Sequence, residues 1–360
     1  FSVCFLFTLF ALSQAVSLRS SVVVTSADIP QGQTQVPGLV YGTLYRVYAT
    51  FASGDNYNYA TNVWISDGYG ARYSLAQLAQ AKAGSNYILS ELNLLRAPIT
   101  ISDNNAGTRV PFTVYMVDSF VGYYPVASAQ LAVGAIDSQY GFWAAGITVL
   151  SAEKYFTMYN FDIGSFPNMY ISSAGFDDPS LDYNVMYIGS QSEARISFLT
   201  VYGPIATLYN TNFGSNRFQF QFSKNIPYNV QLAPGASFAF LSPGYLSQYL
   251  SYNIPYAVTE AFNQAYTFGD SNWMHADFQA HGVNPSSIQL RFTSSGGDNR
   301  DVTSTNDVNQ NYGEAFGNRI SFTVNTNGGP SPRFLYKITS GSAISFSLLS
   351  MLLVALFSMF

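Results

Sequence analysis

Short runs of β-branched and aromatic residues, each closed by Gly, Asn, Asp or Pro, recur along most of this chain. That cadence holds it to an all-β architecture, because such residues pack on a pleat and such turn formers end it. Ser21–Thr25 (SVVVT) reads as an apolar strand. Leu44–Phe51 (LYRVYATF) and Asn62–Ser66 (NVWIS) flank the turn-rich SGDNYNYA, and Pro98–Ser102 and Pro111–Val117 flank DNNAGTR. Phe218, Phe220 and Phe222 alternate with Gln219 and Gln221, the period-2 pattern of a half-buried strand. Arg217 and Lys224 bracket that strand as charges that discourage edge pairing. Ala194–Tyr202, Asn229–Leu232, Ser237–Leu241, Ser287–Thr293 and Arg319–Thr323 complete the expected set.

Helical signals are few. Ser74 is a candidate N-cap for LAQLAQAKAG, with Gly84 as the stop. Weaker candidates are the residues after Pro243 and Val258–Ala265. The expected fold is therefore all-β with few short helices: tandem β-sandwich-like domains or one elongated β-domain. The Gly-, Pro- and Asp-rich Ser172–Asp182 is the best break, giving β-rich domains at 16–175 and 176–336. The polar Ser294–Gly313 reads as a long hairpin loop or excursion, and Asn325–Pro332 as a stalk before a last strand.

Composition narrows the function classes. Aromatic residues make up 16% of the chain and charged residues only 10%, with Ser, Thr, Asn and Gln taking the place of surface charge. Net charge is −5 and no Lys/Arg cluster occurs, so nucleic acid is a poor partner. The single cysteine, Cys4, lies outside the expected folded part. Thiolate metal sites, cysteine nucleophiles and disulfide-framed modules are excluded there. No Asn heads an N-glycosylation acceptor except Asn284, which Pro285 blocks.

Both ends read as processing signals. Residues 1–15 (FSVCFLFTLFALSQA) form an apolar run followed by small residues, as in a secretory signal peptide lacking its first residues. Residues 340–360 place Ser340 and Gly341, candidate attachment residues, before an apolar tail with no basic flank. A GPI-attachment signal accounts for all of these features; a membrane-anchoring helix and a buried helix are the alternatives. The expected location is the outer face of the plasma membrane, or secreted.

Chemistry-bearing residues are sparse. On a strand, His275 and Asp277 would share a face, with Asp270 near and His281 beyond, a set compatible with Zn, Fe or Mn. The blander reading, a solvated strand beside Trp273 and Phe278, is preferred, so no metal and no cofactor is expected. Two acidic loops, Asp177/Asp178/Asp182 and Asp298/Asp301/Asp307, match no EF-hand and read as solvated turns. No nucleophile elbow occurs, and Glu153, Glu193 and Glu260 join Asp177 and Asp178 as the carboxylates a glycosidase would need. No catalytic residue is assigned. Loop tyrosines are the remaining hint: Tyr57 and Tyr59 in GDNYNYA, and Tyr123 and Tyr124 in GYYP, offer flat rings with polar tips that suit protein and sugar recognition.

Ala97–Ile101 (APITI) and Ser119–Tyr140 (SFVGYYPVASAQLAVGAIDSQY) resemble the N-terminal domain of the IgGFc-binding protein family. Tyr124-Pro125, Leu131, Gly134 and Tyr140 fill its motif positions, and Tyr228–Phe240 is similar to its later strand–turn–strand. Leu131 and Gly134 are not adjacent here, and the Gly-to-Tyr spacing is longer than the family's. The resemblance implies an extracellular β-rich adhesion or mucus-associated binding domain without catalytic residues. The expected function is thus a non-catalytic cell-surface adhesion or ligand-binding protein, its partner an extracellular protein, mucin or glycan, with the membrane reached through the C-terminal anchor. A secreted carboxylate-dependent hydrolase and a self-associating surface coat are the alternatives.

Overall fold

The computed structural model describes 21–209 with breaks at 53–56, 85–87, 108, 121–124, 131–134, 138–145, 154, 163–167, 173–174, 176–185 and 190–195. It then describes 219–223, 237–241, 262–281, 287–293, 300–305, 308–325 and 333–340. The fold is all-β with two short helices among the described residues.

The first eight strands build a sandwich. They are β1 (Ser21–Thr25), β2 (Gly32–Gln35), β3 (Leu44–Phe51), β4 (Val63–Asp67), β5 (Arg72–Ser74), β6 (Leu94–Arg96), β7 (Ile99–Asp103) and β8 (Phe112–Asp118). One sheet runs β1-β8-β3-β6 and the other β2-β7-β4-β5, with every pairing antiparallel. Alternation decides which side chains face inward. Val22, Val24, Tyr45, Val47, Phe112 and Val114 project from the first sheet onto Val63, Ile65, Ile99 and Ile101 of the second. Each such branched or aromatic side chain, fully buried, contributes about 1.5–3 kcal/mol.

Helix α1 (Tyr57–Thr61) bridges β3 and β4 and buries Ala60. Helix α2 (Leu75–Leu78) starts where the sequence indicates: Ser74 Oγ accepts from the Gln77 amide at 3.2 Å while Gln77 Oε1 accepts from the Ser74 amide at 2.8 Å. This reciprocal cap satisfies two amides that would otherwise lack partners. The helix stops after a single turn, well short of Gly84, with Leu75 and Leu78 already delivered to the core.

The remaining strands are β9 (Val126–Ser128), β10 (Ala135–Asp137), β11 (Gly146–Leu150), β12 (Tyr155–Asp162), β13 (Asn168–Ser172), β14 (Met186–Gly189), β15 (Ile196–Tyr202), β16 (Ile205–Tyr209), β17 (Gln219–Ser223) and β18 (Ser237–Leu241). After these come β19 (Phe262–His281), β20 (Ser287–Thr293), β21 (Arg300–Ser304), β22 (Val308–Asn325) and β23 (Arg333–Ser340). A five-stranded sheet, β14-β13-β16-β11-β9, covers the outer face of the β1-β8-β3-β6 sheet. There Tyr48, Tyr115 and Val117 meet Val126, Leu150 and Ile205. Tyr48 and Tyr115 stack at 6.1 Å, and buried hydroxyls are paired across the layer: Thr50 Oγ1 with Ser128 Oγ at 2.5 Å, and Thr113 Oγ1 donating to the Ser151 carbonyl at 2.7 Å. With both faces covered, Phe112–Val117 is buried without interruption, so β8 shows no polar alternation.

Strands from both sides of the expected break at 175/176 pair: β13 with β14, and β12 with β15. Gly175, in the expected linker, packs on the Tyr115 ring so closely that an added Cβ would stand 2.6 Å from Cε2.

A ten-stranded sheet, β10-β17-β12-β15-β18-β23-β19-β22-β20-β21, takes the rest. Two expectations are corrected here. Phe262–Ala265, expected in a helix, opens the 20-residue β19 and pairs with Ser321–Val324. The polar stretch Ser294–Gly313, expected as loop, carries β21 and the start of β22. Ladder pairing to β20 and β19, with an Arg291–Asp301 bidentate ion pair at 2.7 and 2.8 Å, overrides their low apolar content. The last strand, β23, lies inside this sheet between β18 and β19.

Candidate functional site

The two tyrosines expected as a loop binding face at 57 and 59 have different environments. Tyr57 is exposed on the first turn of α1. Tyr59 is half-buried and packs against the sandwich core. Tyr123 and Tyr124 lie outside the described residues. Ser340 is the last residue of β23, opposite Met274, and Gly341 lies outside the described residues.

Tyr59 belongs to a buried polar node. Its hydroxyl donates to Asp103 Oδ2 at 2.6 Å, and the same carboxylate accepts from the Asn105 amide at 3.2 Å, Asn105 Nδ2 at 3.0 Å and Arg109 Nε at 3.3 Å. Asp103 is 2% exposed. Burial would raise its pKa, but the Tyr59 and Asn105 hydrogen bonds and the Arg109 charge hold the carboxyl below its ordinary value. Desolvation, with the bond to Asp103, pushes the Tyr59 phenol up to about 12. Four donors saturate one buried carboxylate, so this corner fastens α1 and the loop after β7 to the sandwich. It has no acceptor capacity directed at a ligand.

The opposite end of the sandwich is open. The β4–β5 hairpin turns through Gly68–Ala71 with Gly70 at φ 103, a left-handed geometry that glycine adopts without a steric penalty. Asp67 organises the turn: its Oδ1 accepts from the Tyr69 and Ala71 amides at 2.9 Å, and its Oδ2 from the Arg96 amide at 3.1 Å. Burial opposes ionisation, but these backbone donors hold the Asp67 carboxyl below its ordinary pKa. Tyr69, at the tip, is 60% exposed, and Tyr41 beside it is 79% exposed. The neighbouring Tyr41 phenol raises the Tyr69 phenol above its ordinary value. The Arg96 guanidinium lies 5.6 Å from the Tyr69 ring centre. The Tyr41 loop is fixed from below, where the Val40 amide donates to the buried Tyr45 hydroxyl at 2.9 Å and the Gly42 amide to the Ala97 carbonyl. Phe120, 90% exposed, follows β8 at this same end, where the Ser119 amide donates to the Leu44 carbonyl.

The outward face of the β2-β7-β4-β5 sheet continues the surface. Register sets Gln33, Ser102 and Trp64 in one row and Gln35, Thr100, Ser66 and Arg72 in the next. Arg72 lies diagonally over the Trp64 ring, its Cζ 3.8 Å from the ring centre. Apart from Arg72, this face presents amides, hydroxyls and one indole. The rings at Tyr41, Tyr69 and Trp64 were not singled out from the sequence. The signal for Tyr69 was its place between two glycines in DGYGA, a hairpin tip that exposes whatever it carries.

The metal and catalytic candidates read from the sequence are placed by register, where they are described. His275 lies opposite Glu314 and Thr339, Asp277 opposite Asn311 and Lys337, with a register shift between them on the β22 side, and His281 is opposite Arg333. Asp270 sits in a second irregular stretch of β19. Asp301 is committed to Arg291, and Glu153 follows Ser151, whose Oγ accepts its amide. Asp177, Asp178, Asp182, Glu193, Glu260, Asp298 and Asp307 lie outside the described residues. No group of three His, Cys, Asp or Glu able to hold a metal occurs among the described residues.

No family model matches the chain, and no curated protein matches it. Among solved structures it shows a likeness to a chain of the lipid-containing bacteriophage PM2, at 9% identity and a TM-score of 0.16, covering 89% of this chain and 86% of that one. A second is the triple jelly roll turret protein of an archaeal virus, at 11% identity and a TM-score of 0.15, covering 89% and 81%. Scores this low carry no inference about shape or role.

Proposed function

We propose that this chain is a non-catalytic, extracellular binding protein that recognises a saccharide on its partner through the Tyr41–Tyr69 end and the adjoining β2-β7-β4-β5 face. The two exposed tyrosines, with Tyr69 on a turn whose backbone is pinned by Asp67, carry this reading. Two flat rings with polar edges bind a sugar's apolar face and hydroxyls together, and a fixed backbone lowers the entropy lost on binding. The neighbouring Gln, Thr and Ser rows extend the surface with donors and acceptors that carry no charge to desolvate. Export and a C-terminal lipid anchor are proposed from the sequence of 1–15 and 340–360, and the IgGFc-binding-protein resemblance points to the same adhesive role. The test is a glycan array probed with the chain and with a Tyr41→Ala/Tyr69→Ala variant of unchanged melting temperature. Wild-type signals lost in the variant support the reading; no signal, or signals equal in both, defeats it.

A further inference from the structure

We infer that the saccharide is anionic and polymeric, its carboxylate or sulfate groups received by Arg72 and Arg96. This rests on the binding role proposed above and adds the charge and repeat of the ligand. Each guanidinium lies against an aromatic ring, Arg72 on Trp64 at 3.8 Å and Arg96 on Tyr69 at 5.6 Å. A ring occupies only the flat side of a guanidinium. The in-plane N–H donors remain available, in the fork that matches a carboxylate or sulfate.

Three other arginines are committed elsewhere. Arg46 donates to the Ser119 carbonyl, Arg109 to Asp103 and Arg291 to Asp301. Among the described residues, neither Arg72 nor Arg96 has a carboxylate at ion-pair distance. Asp67, the acidic group closest in the chain to Arg72, is held by backbone amides. The rings thus hold two cations in place while no carboxylate among the described residues lies at ion-pair distance from them, in a protein whose net charge is −5.

Placement sets the kind of anion. Arg72 stands on the β2-β7-β4-β5 sheet and Arg96 on β6 of the facing sheet. Trp64, on which Arg72 rests, stands three residues back along β4 from Asp67, about 10 Å at some 3.3 Å per residue, and Tyr69, beside Arg96, lies beyond Asp67. A single small anion does not span that gap, whereas a chain bearing a charge on each repeat does. The exposed hairpin tip with Tyr69 stands beside Arg96 and offers a ring on which an uncharged ring face of the polymer rests. Nucleic acid is disfavoured by the overall negative charge, and an extended acidic peptide would dock on a sheet edge rather than across an amide- and hydroxyl-bearing face.

The experiment uses the full chain with immobilised heparin for sulfate, polygalacturonate for carboxylate, dextran as neutral polymer and poly-glutamate as acidic peptide. Expected is binding to one or both anionic polysaccharides that weakens with added salt, with dextran and poly-glutamate far weaker. Arg72→Gln and Arg96→Gln should each weaken it about tenfold, and the pair by more, at unchanged melting temperature. Arg72→Lys and Arg96→Lys, which keep charge but lose the fork, should fall between. Heparin alone, or polygalacturonate alone, identifies the acidic group. Binding of dextran that needs Tyr41 and Tyr69 but ignores both arginines overturns this inference and leaves the binding role standing. Equal binding of poly-glutamate overturns the saccharide assignment. Binding of no polymer defeats this inference, and the binding role falls only if the glycan array is also blank.

Discussion

At one end of the first sandwich Tyr59 gives its hydroxyl to Asp103; at the other, Tyr69 stays exposed beside Tyr41, although Asp67 is two residues away. Both carboxylates are saturated and both are held ionised. The difference lies in who saturates them. Asp103 draws three of its four donors from side chains, so the tyrosine and arginine near it become braces. Asp67 draws on backbone amides, which leaves Tyr69 and the Arg96 guanidinium facing out. A carboxylate satisfied by main chain releases its neighbours for recognition, and one satisfied by side chains consumes them.

The comparison breaks most visibly at Asp103. Asp103→Ala should cost about 3–5 kcal/mol, because it leaves the Arg109 charge and the Tyr59 hydroxyl without their partner. The readout is the denaturation midpoint, and saccharide binding by the folded fraction should not change. A loss below about 1 kcal/mol would mean the node is ornamental.

At the open end the effect should fall on affinity. Tyr69→Ala or Tyr41→Ala should lose about 1–3 kcal/mol of binding with stability within about 0.5 kcal/mol of wild type. Titration calorimetry beside thermal melts checks the split, and a large stability loss would make these tyrosines braces as well.

Acid sharpens the contrast. Asp103 and Asp67 have folded pKa values below the unfolded value of about 3.9, so their stabilisation is complete above that pH and is lost as pH falls through the lower folded values. Asp28 is opposite in sign: burial outweighs its Thr25 hydrogen bonds and raises its pKa, so its protonation favours the fold as pH falls through that raised value. Melting midpoints should hold or rise slightly towards pH 4 and fall below it, and Asp28→Asn should remove the rise.

The smallest effect is spectroscopic. In a carbon-13 tyrosine titration, Tyr59 should ionise near pH 12, and Tyr69 above the ordinary 10. Tyr41→Phe removes the phenol that raises Tyr69, so the Tyr69 value should relax towards 10. A Tyr69 resonance that ignores Tyr41→Phe would dissolve the pair.

Much of the sandwich was legible because one residue type per face suffices to read a strand. Ser21–Thr25, Leu44–Phe51, Ser237–Leu241 and Ser287–Thr293 stand where expected. Ser74 stands at the N-cap expected of it, although the helix ends at Leu78 rather than near Gly84. What was illegible depends on partners distant in sequence. Arg300–Ser304 and the start of β22 are polar and become strands only because Ser287–Thr293 and Phe262–His281 offer ladders. The site was half legible for the same reason: GDNYNYA and DGYGA are both turn sequences rich in tyrosine, and nothing local tells that Asp103, 44 residues on, captures Tyr59. Arg96 likewise reaches Tyr69 only through the packing of β6 beside the hairpin.

The doubly covered β8 also constrains how the molecule can be made. A ribosome that has released β1 to β8 has released a whole sandwich whose outer face still shows Val23, Tyr48, Tyr115 and Val117 to water. The residues that cover them, Val126, Leu150 and Ile205, emerge one after another, the last some ninety residues later. At about 5–20 residues per second that interval lasts on the order of 5–20 s. During it a folded domain carries an adhesive patch of its own, which makes the nascent chain a client for a chaperone and makes any protein ending near residue 120 prone to self-association.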